Sequence, residues 1–469
     1  MVADDLVWRS GLDLAALIRT RQVSPVEVTE RILERIEVLN PRLNAFCYVA
    51  AEAARSAARE AEIAVMKNEP LGLLHGVPFS VKDVLDTRGI ATTHGSRLFA
   101  EGIPDRDAVA VARLRAAGAI ILGKTTTSEF GHKAVTESPL FGITRNPWGL
   151  DCTPGGSSGG AAAAVATGLG PVGLGTDGGG SVRIPAAFCG VFGLKPSYGR
   201  VPVYPASPGW SRVSHVGPLA RTVRDAAAVL DVIAGSDDRD RHSLPGTAGP
   251  YLEACDDDVK GLHVAWSADL GYATVAPEVR ALCENAAAEF ESLGCHVEVV
   301  SPGWDSPEGS FTTIMAAQFY AAWADRLPEA EPLMDRSLVK FIRKGGGISA
   351  REYLVAWAAA EAYWEDVRGF LERFDLLLTP TVAVAPFPAG QGPPREIGGE
   401  TVSVLGWMPF TYPFNLTGQP AASVPVGFTE AGLPVGLQIV GRRHADRTVL
   451  AAAGAFEAAC PWVERHPFL

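Results

Sequence analysis

Cysteine is scarce and unpatterned in this chain: the seven, at positions 47, 152, 189, 255, 283, 295 and 460, form no C-x-x-C pair. An odd, scattered set fits neither a disulfide framework nor a thiolate knuckle, so a reducing, cytoplasmic setting is expected. H-E-x-x-H is absent and the nine histidines are dispersed; neither a metal nor an organic cofactor is expected. Positive charge is in deficit too. Lys and Arg total 41 against 53 Asp and Glu, a net charge of −12, and no basic stripe could track a phosphate backbone, so nucleic acid is not an expected partner. Long apolar runs are missing as well. Residues 161–174 are apolar but rich in Gly and Ala and too short to cross a bilayer. The first nine residues carry Asp4 and Asp5 where an export signal would be basic and then apolar.

Glycine is what the chain has in excess, 50 residues beside 34 prolines. Much of it falls between 155 and 193, where apolar content stays high, which points to local backbone demand rather than disorder. A composition of 47% hydrophobic and 20% charged residues is that of a globular protein with a sizeable core. Ser24-Pro25-Val26-Glu27 reads as a helix start, with a capping serine, proline at the first helical position and an acid to close the box. Val28, Ile32, Leu33 and Ile36 follow at helical spacing, and Asn40-Pro41 is expected to end the run. A second helix is predicted over 50–64. Beyond His75 the pattern alternates, with strands over 77–81, 120–122 and 172–174 and helices over 107–117, 161–167 and 221–233. A strand–helix–strand unit follows over 262–265, 277–293 and 295–300, the texture of a layered α/β domain. Residues 301–370 are helix-rich and aromatic, and 386–399 must be loop. Strands over 375–379, 422–426 and 435–440 and a helix over 446–459 complete the chain.

Three segments have compositions that only a special geometry would require. In Gly155-Gly156-Ser157-Ser158-Gly159-Gly160 two hydroxyls sit inside a loop that allows close approach. An anion-binding nest would look similar, although no Walker lysine follows and no clear strand precedes. From the tract alone, catalytic loop, anion site and tight packing stay open. Gly175-Thr176-Asp177-Gly178-Gly179-Gly180-Ser181-Val182-Arg183 sets a serine beside free N–H groups, as acyl transfer requires; a packed turn is the plain alternative. The chain is expected to lack the G-x-S-x-G elbow of the α/β-hydrolases, and His75, His94, His132 and His215 lack the spacing of a partner base, so a Ser-His-Asp triad is not supported. Lys82 ends an apolar strand, and burial lowers an ammonium pKa because the charged form loses hydration. Serine with a lysine base is a known variation on the triad; an ion pair with Asp83 is the competing reading.

Taken in order, these segments resemble the amidase signature family. The resemblance rests on His75-Gly-Val-Pro-Phe-Ser-Val-Lys82-Asp83, Gly123-Lys-Thr-Thr-Thr-Ser-Glu129-Phe130, Asn146-Pro147-Trp148, both glycine tracts, and Gly193-Leu-Lys-Pro196. It resumes at Asn415-Leu-Thr-Gly-Gln-Pro420 and Gly432-Leu-Pro-Val-Gly-Leu-Gln438-Ile-Val-Gly441. It implies one large α/β/α domain around a mixed, twisted sheet of about eleven strands. Residues 1–70 are expected as a helical segment packed on a catalytic domain, 71–469, whose variable region near 301–412 shapes the pocket. The resemblance further implies a Ser–cis-Ser–Lys triad, with Ser181 as nucleophile, Ser157 as proton shuttle and Lys82 as base. Ser158 is expected to orient Lys82, the N–H groups of Gly178, Gly179, Gly180 and Ser181 to hold the oxyanion, and Asp177 with Arg183 to shape the loop. Two departures stand out: Thr126 lies where many relatives carry asparagine, and Gly178 where many carry threonine. The glycine is expected to widen the acyl side of the pocket.

For the pocket wall the candidates are Phe319, Tyr320, Val384, Trp407, Met408 and Phe410, which offer apolar area and no charge clamp. They favour a hydrophobic or aryl amide, a carbamate or a cyclic amide over glutamine or malonamate. The resemblance also admits a homodimer and, as an alternative, the glutamine-hydrolysing subunit of a tRNA-dependent amidotransferase. Glu129-Phe-Gly-His-Lys-Ala is closer to stand-alone amidases. A catalytically silent binding protein on the same fold is the remaining alternative, and the intact triad positions argue against it.

Overall fold

The apolar runs bounded by glycine pair into one mixed sheet in the computed structural model, which describes residues 3–245 and 249–469. Its strands are β1 (Phe46–Val49), β2 (Pro78–Lys82), β3 (Ile120–Thr125), β4 (Val172–Asp177), β5 (Phe192–Lys195) and β6 (His215–Ala220) from the first half of the chain. The second half adds β7 (His263–Trp266), β8 (His296–Val299), β9 (Leu376–Pro380), β10 (Ala421–Phe428) and β11 (Pro434–Gly441). Their spatial order is β1-β3-β2-β4-β6-β5-β10-β11-β9-β7-β8, the eleven-stranded α/β/α arrangement expected. The trio β3-β2-β4 is parallel, as is β9-β7-β8; the strands between pair antiparallel.

Side chains alternate across the sheet and feed two cores. Leu376, Leu378 and Ile439 enter one apolar cluster, while Leu377 and Val440 enter the other. The first cluster is covered by helices such as Val223–Ile233 and Asp446–Ala459. The second packs against Glu308–Trp323, Arg336–Gly345 and Ala350–Leu371 from the variable region. A third cluster seats Val28, Ile32, Leu33 and Ile36 on Ile120 and Leu122 of β3.

The helix starting at Pro25 does not stop at Asn40-Pro41 but runs to Leu43, with Pro41 inside its last turn. Asn44 closes it in a left-handed conformation, its N–H donating to Asn40 O at 2.8 Å. The first seventy residues are also not helical throughout, since β1 pairs along the edge of β3. The loop around 386–399 contains half of a small ribbon, Glu396–Ile397 against Glu400–Thr401. Among the described residues, no helix is long and apolar enough to cross a membrane.

Candidate active site

Parallel pairing of β2 with β4 aligns Val81 with Leu174, so Lys82 and Thr176 leave the sheet at the same edge. The carboxyl ends of parallel strands are the usual place for a site in α/β folds. Lys82 is fully buried. Its Nζ donates to Ser157 Oγ at 2.7 Å, to Thr176 Oγ1 at 2.8 Å and to Thr176 O at 3.4 Å. Burial lowers its pKa to about 7, with the Asp177 carboxylate opposing only part of that shift. The Lys82–Asp83 ion pair does not form: the Asp83 carboxylate accepts from the N–H groups of Thr93 and Gly95 and from the Thr93 hydroxyl.

Ser157 follows a cis peptide bond, Gly156–Ser157. Its tract spells G-x-S-x-G, yet the preceding residues are loop and its hydroxyl meets a lysine. Ser158 ties this loop to the second glycine tract through its N–H, which donates to Ser181 O at 3.2 Å. The Ser158 side chain does not orient Lys82 directly. Its hydroxyl donates to Thr176 O (3.3 Å) and accepts from Thr176 N–H (3.4 Å), so Thr176 is the residue that grips the lysine. A Cβ on Gly175 would lie 2.9 Å from Ser158 Oγ, which is why glycine precedes that threonine.

The second glycine tract wraps around a buried charge. Gly180 N–H donates to Asp177 Oδ1 at 2.7 Å and Val182 N–H to Oδ2 at 3.1 Å. The Gly180 N–H, expected to face an oxyanion, is therefore taken by Asp177. Among the described residues, the N–H groups of Gly178, Gly179 and Ser181 donate to no protein acceptor. Gly180 must be glycine, because its φ of +123° lies in the region L side chains avoid. Arg183, fully buried, places all five donors. It bonds Asp177 through Nε (3.0 Å) and Nη2 (2.8 Å), Thr411 O (3.0 Å) and Gln438 Oε1 (2.7 Å) through Nη1, and Asn415 Oδ1 (2.6 Å) through Nη2. Burial alone would raise the Asp177 pKa; Arg183 overrides it and holds the carboxyl far below its usual range. Arg183→Met would strand that carboxylate, and a loss of about 3–5 kcal/mol in chemical unfolding is expected.

Residues 27–450 match the family described as Amidase. The chain belongs to the amidase signature family. It is a carboxamide hydrolase that works through a serine. An acylamidase from Rhodococcus erythropolis is 40% identical and spans 100% of this chain and 98% of its own. A glutamyl-tRNA(Gln) amidotransferase subunit from Moorella thermoacetica is 36% identical over 99% of each chain. Among solved structures, a bacterial aryl acylamidase superposes with a TM-score of 0.92 at 35% identity, covering 97% of both chains. A 6-aminohexanoate cyclic dimer hydrolase follows at 0.89 and 33%, covering 98% and 99%.

In this amidase signature chain Ser181 opens onto a cavity of about 910 Å³. Phe319, Trp407 and Met408 line it, joined by Phe311, Met315 and Phe341. Tyr320, Val384 and Phe410 do not. Phe319 and Tyr320 are adjacent on one helix, so about 100° of rotation separates them, and Tyr320 turns outward, 40% exposed, against Gly345 and Gly346. Phe410 is buried in the second core, and Val384 packs against that same core. Charged groups at the cavity are mostly engaged: Lys133 pairs with Glu137 (2.7 Å) and Asp335 (2.8 Å), and Glu308 accepts from Ser403 Oγ (2.6 Å).

Gly178 does not widen the pocket. The indole of Trp210 fills the space beside it, and a Cβ there would lie 2.4 Å from Trp210 Cε3. Thr126 is structural, sharing a hydrogen bond with the Thr144 hydroxyl (2.7 Å) and donating to Asn44 O (3.0 Å). The histidines are structural too. His75 contacts Ala61 O (3.0 Å), His132 contacts Glu129 O (2.9 Å) and Ser337 Oγ (2.8 Å), and His215 contacts Val213 O (2.8 Å) and Asp177 O (3.1 Å). His94 packs against the rings of Phe99 and Phe130, which also meet each other.

Proposed function

We propose that Ser181 attacks the carbonyl of a hydrophobic amide, with anilides the foremost class, while Ser157 and Lys82 carry the protons. Neutral Lys82 accepts the Ser157 proton as Ser157 accepts that of Ser181. The oxyanion is held by the N–H groups of Gly178, Gly179 and Ser181, donors fixed before reaction and needing no reorganisation. Ser157 then protonates the departing nitrogen, because an amide anion is too basic to leave unaided. Water next attacks the acyl-enzyme by the same relay, releasing the acid.

One observation carries this reading: a buried lysine with a pKa of about 7 is bonded at 2.7 Å to the serine beside the nucleophile loop. Burial thus favours the uncharged amine, the form a base requires. The apolar lining supports the substrate class. Glutamine would bring an α-ammonium and an α-carboxylate into a cavity whose lining is mainly apolar, and charge is expensive to desolvate. Carbamates and cyclic amides present the same carbonyl and belong in the screen.

Purified enzyme is therefore expected to release chromophore from p-nitroanilides with kcat/KM at least about a hundredfold above ammonia release from glutamine, the discrimination one or two unmatched polar groups impose. Equal or greater activity on glutamine would overturn the substrate class.

A further inference from the structure

We propose that Trp210, seated on Gly178, is the residue that limits the size of the acyl group Ser181 can receive. This rests on the Ser181 reading above and deepens it by naming what selects the substrate. The indole covers Gly178 so closely that a Cβ at 178 would lie 2.4, 2.6 and 3.1 Å from Cε3, Cζ3 and Cδ2. No side chain larger than hydrogen fits under the ring while it stays there. At the other end Nε1 donates to Phe130 O at 2.8 Å, and the Phe319 ring meets the indole edge-on at 5.5 Å. A Cβ on Gly209 would lie 2.9 Å from Phe319, so this glycine lets the loop between β5 and β6 settle against the cavity wall. The indole is thus fixed from three sides, and what remains of it lines the cavity that Ser181 opens onto.

Its position spans both working loops. One end lies on Gly178, which carries an oxyanion N–H. The other reaches Gly131, where a Cβ would lie 3.9 Å from Nε1 and 3.1 Å from Ser157 Oγ. Proton transfer pins the leaving nitrogen to Ser157, and the N–H donors pin the carbonyl oxygen. The Nε1 end lies toward Ser157 and the leaving nitrogen, so it is the six-membered ring, over Gly178, that is placed to meet the acyl group. Gly178 and Trp210 form a matched pair in which the small residue seats the large one, and the large one sets the clearance.

The test uses two series of p-nitroanilides and anilides: growing acyl groups on one amine, from acetyl to pivaloyl and cyclohexanecarbonyl, and growing amines on one acetyl group. Trp210→Ala is expected to raise the bulky-to-acetyl ratio of kcat/KM at least about tenfold, the scale of one or two methylenes admitted to an apolar pocket, with the amine series unchanged. Gly178→Thr is expected to lose turnover on every acyl group because threonine cannot share space with the indole. Gly178→Thr combined with Trp210→Ala is expected to regain acetanilide turnover, with the acyl ratio falling back toward that of the wild type. A readout independent of amide turnover is the rate at which methyl and cyclohexyl fluorophosphonates label Ser181, followed by intact mass; Trp210→Ala is expected to favour the bulky reagent. Labelling of a wild type that cleaves no amide would sink the amide reading while the labelling ratio still decides on Trp210. Parallel acyl and labelling profiles in wild type and Trp210→Ala, or relief confined to the amine series, would overturn the assignment.

Discussion

Replacing Ser181 by alanine is expected to lower kcat/KM toward anilides by about 10⁵–10⁶-fold, the scale seen when a serine nucleophile is deleted from a preorganised site. The loss should be this large because the neighbouring serines cannot substitute: Ser157 is 1% exposed with its hydroxyl on Lys82, and Ser158 is committed to Thr176. Folding should be untouched. Ser181 contributes to the loop through its backbone, whose carbonyl accepts from Ser158 N–H, and Asp177 holds the neighbouring N–H groups whether or not the hydroxyl is there. Thermal unfolding should therefore be unchanged while fluorophosphonate labelling disappears. A variant that keeps more than about one hundredth of the activity would remove Ser181 from the mechanism.

Lys82→Met is the second large effect, with kcat expected to fall by about 10⁴-fold, the upper range for deleting a general base. The wild-type rate should also carry the signature of this lysine. Burial depresses its folded pKa to about 7, so kcat/KM is expected to rise through pH 7 to a plateau as the neutral amine forms. The variant should lack that step, and a flat wild-type profile across pH 7 would exclude Lys82 as the base. Stability obeys the same linkage. In an unfolded chain the lysine titrates near 10.4, so between about pH 7 and 10 the unfolded state binds more protons and folding gains stability as pH rises. Below pH 7 the buried ammonium exacts its full cost. The Tm of Lys82→Met relative to wild type should therefore be highest below pH 7 and fall as pH approaches 10. The hydrogen bonds lost by Ser157 and Thr176 shift the whole curve without changing its slope.

The resemblance that points to this family is carried by segments that are each contiguous. A glycine run is a local demand of the backbone, and Lys82, Ser157 and Ser181 each sit inside or beside such a segment. The structure brings Lys82 and Ser157 into contact and sets the Ser158 N–H on Ser181 O. Two motifs noticed only as parts of the resemblance acquire a physical role: Asn415 and Gln438 both accept from Arg183, more than two hundred residues away in sequence. Lys195 of the Gly193-Leu-Lys-Pro196 motif likewise donates to Gln419 O and Pro196 O beneath the same loop.

Other residues are silent in the sequence because their roles depend on partners from elsewhere. Thr176 stands in the second tract as an ordinary threonine, and only the β2–β4 register puts its hydroxyl on Lys82. Gly180 looks equivalent to Gly178 and Gly179 along the chain, yet the Asp177 carboxylate takes its N–H. Trp210 lies in a loop without periodicity, and its meeting with Gly178 is invisible along the chain. Half of the wall candidates fail for a related reason. Composition finds aromatic residues, but helix rotation and core packing choose which of them face a cavity. The layered α/β class, the family and the candidates for nucleophile, shuttle and base were all legible from residue order, because they follow from short-range backbone demands and the succession of motifs. Which N–H groups remain free, what holds the lysine and how wide the pocket is became visible only in the folded chain, because each depends on which distant side chain fills the remaining space.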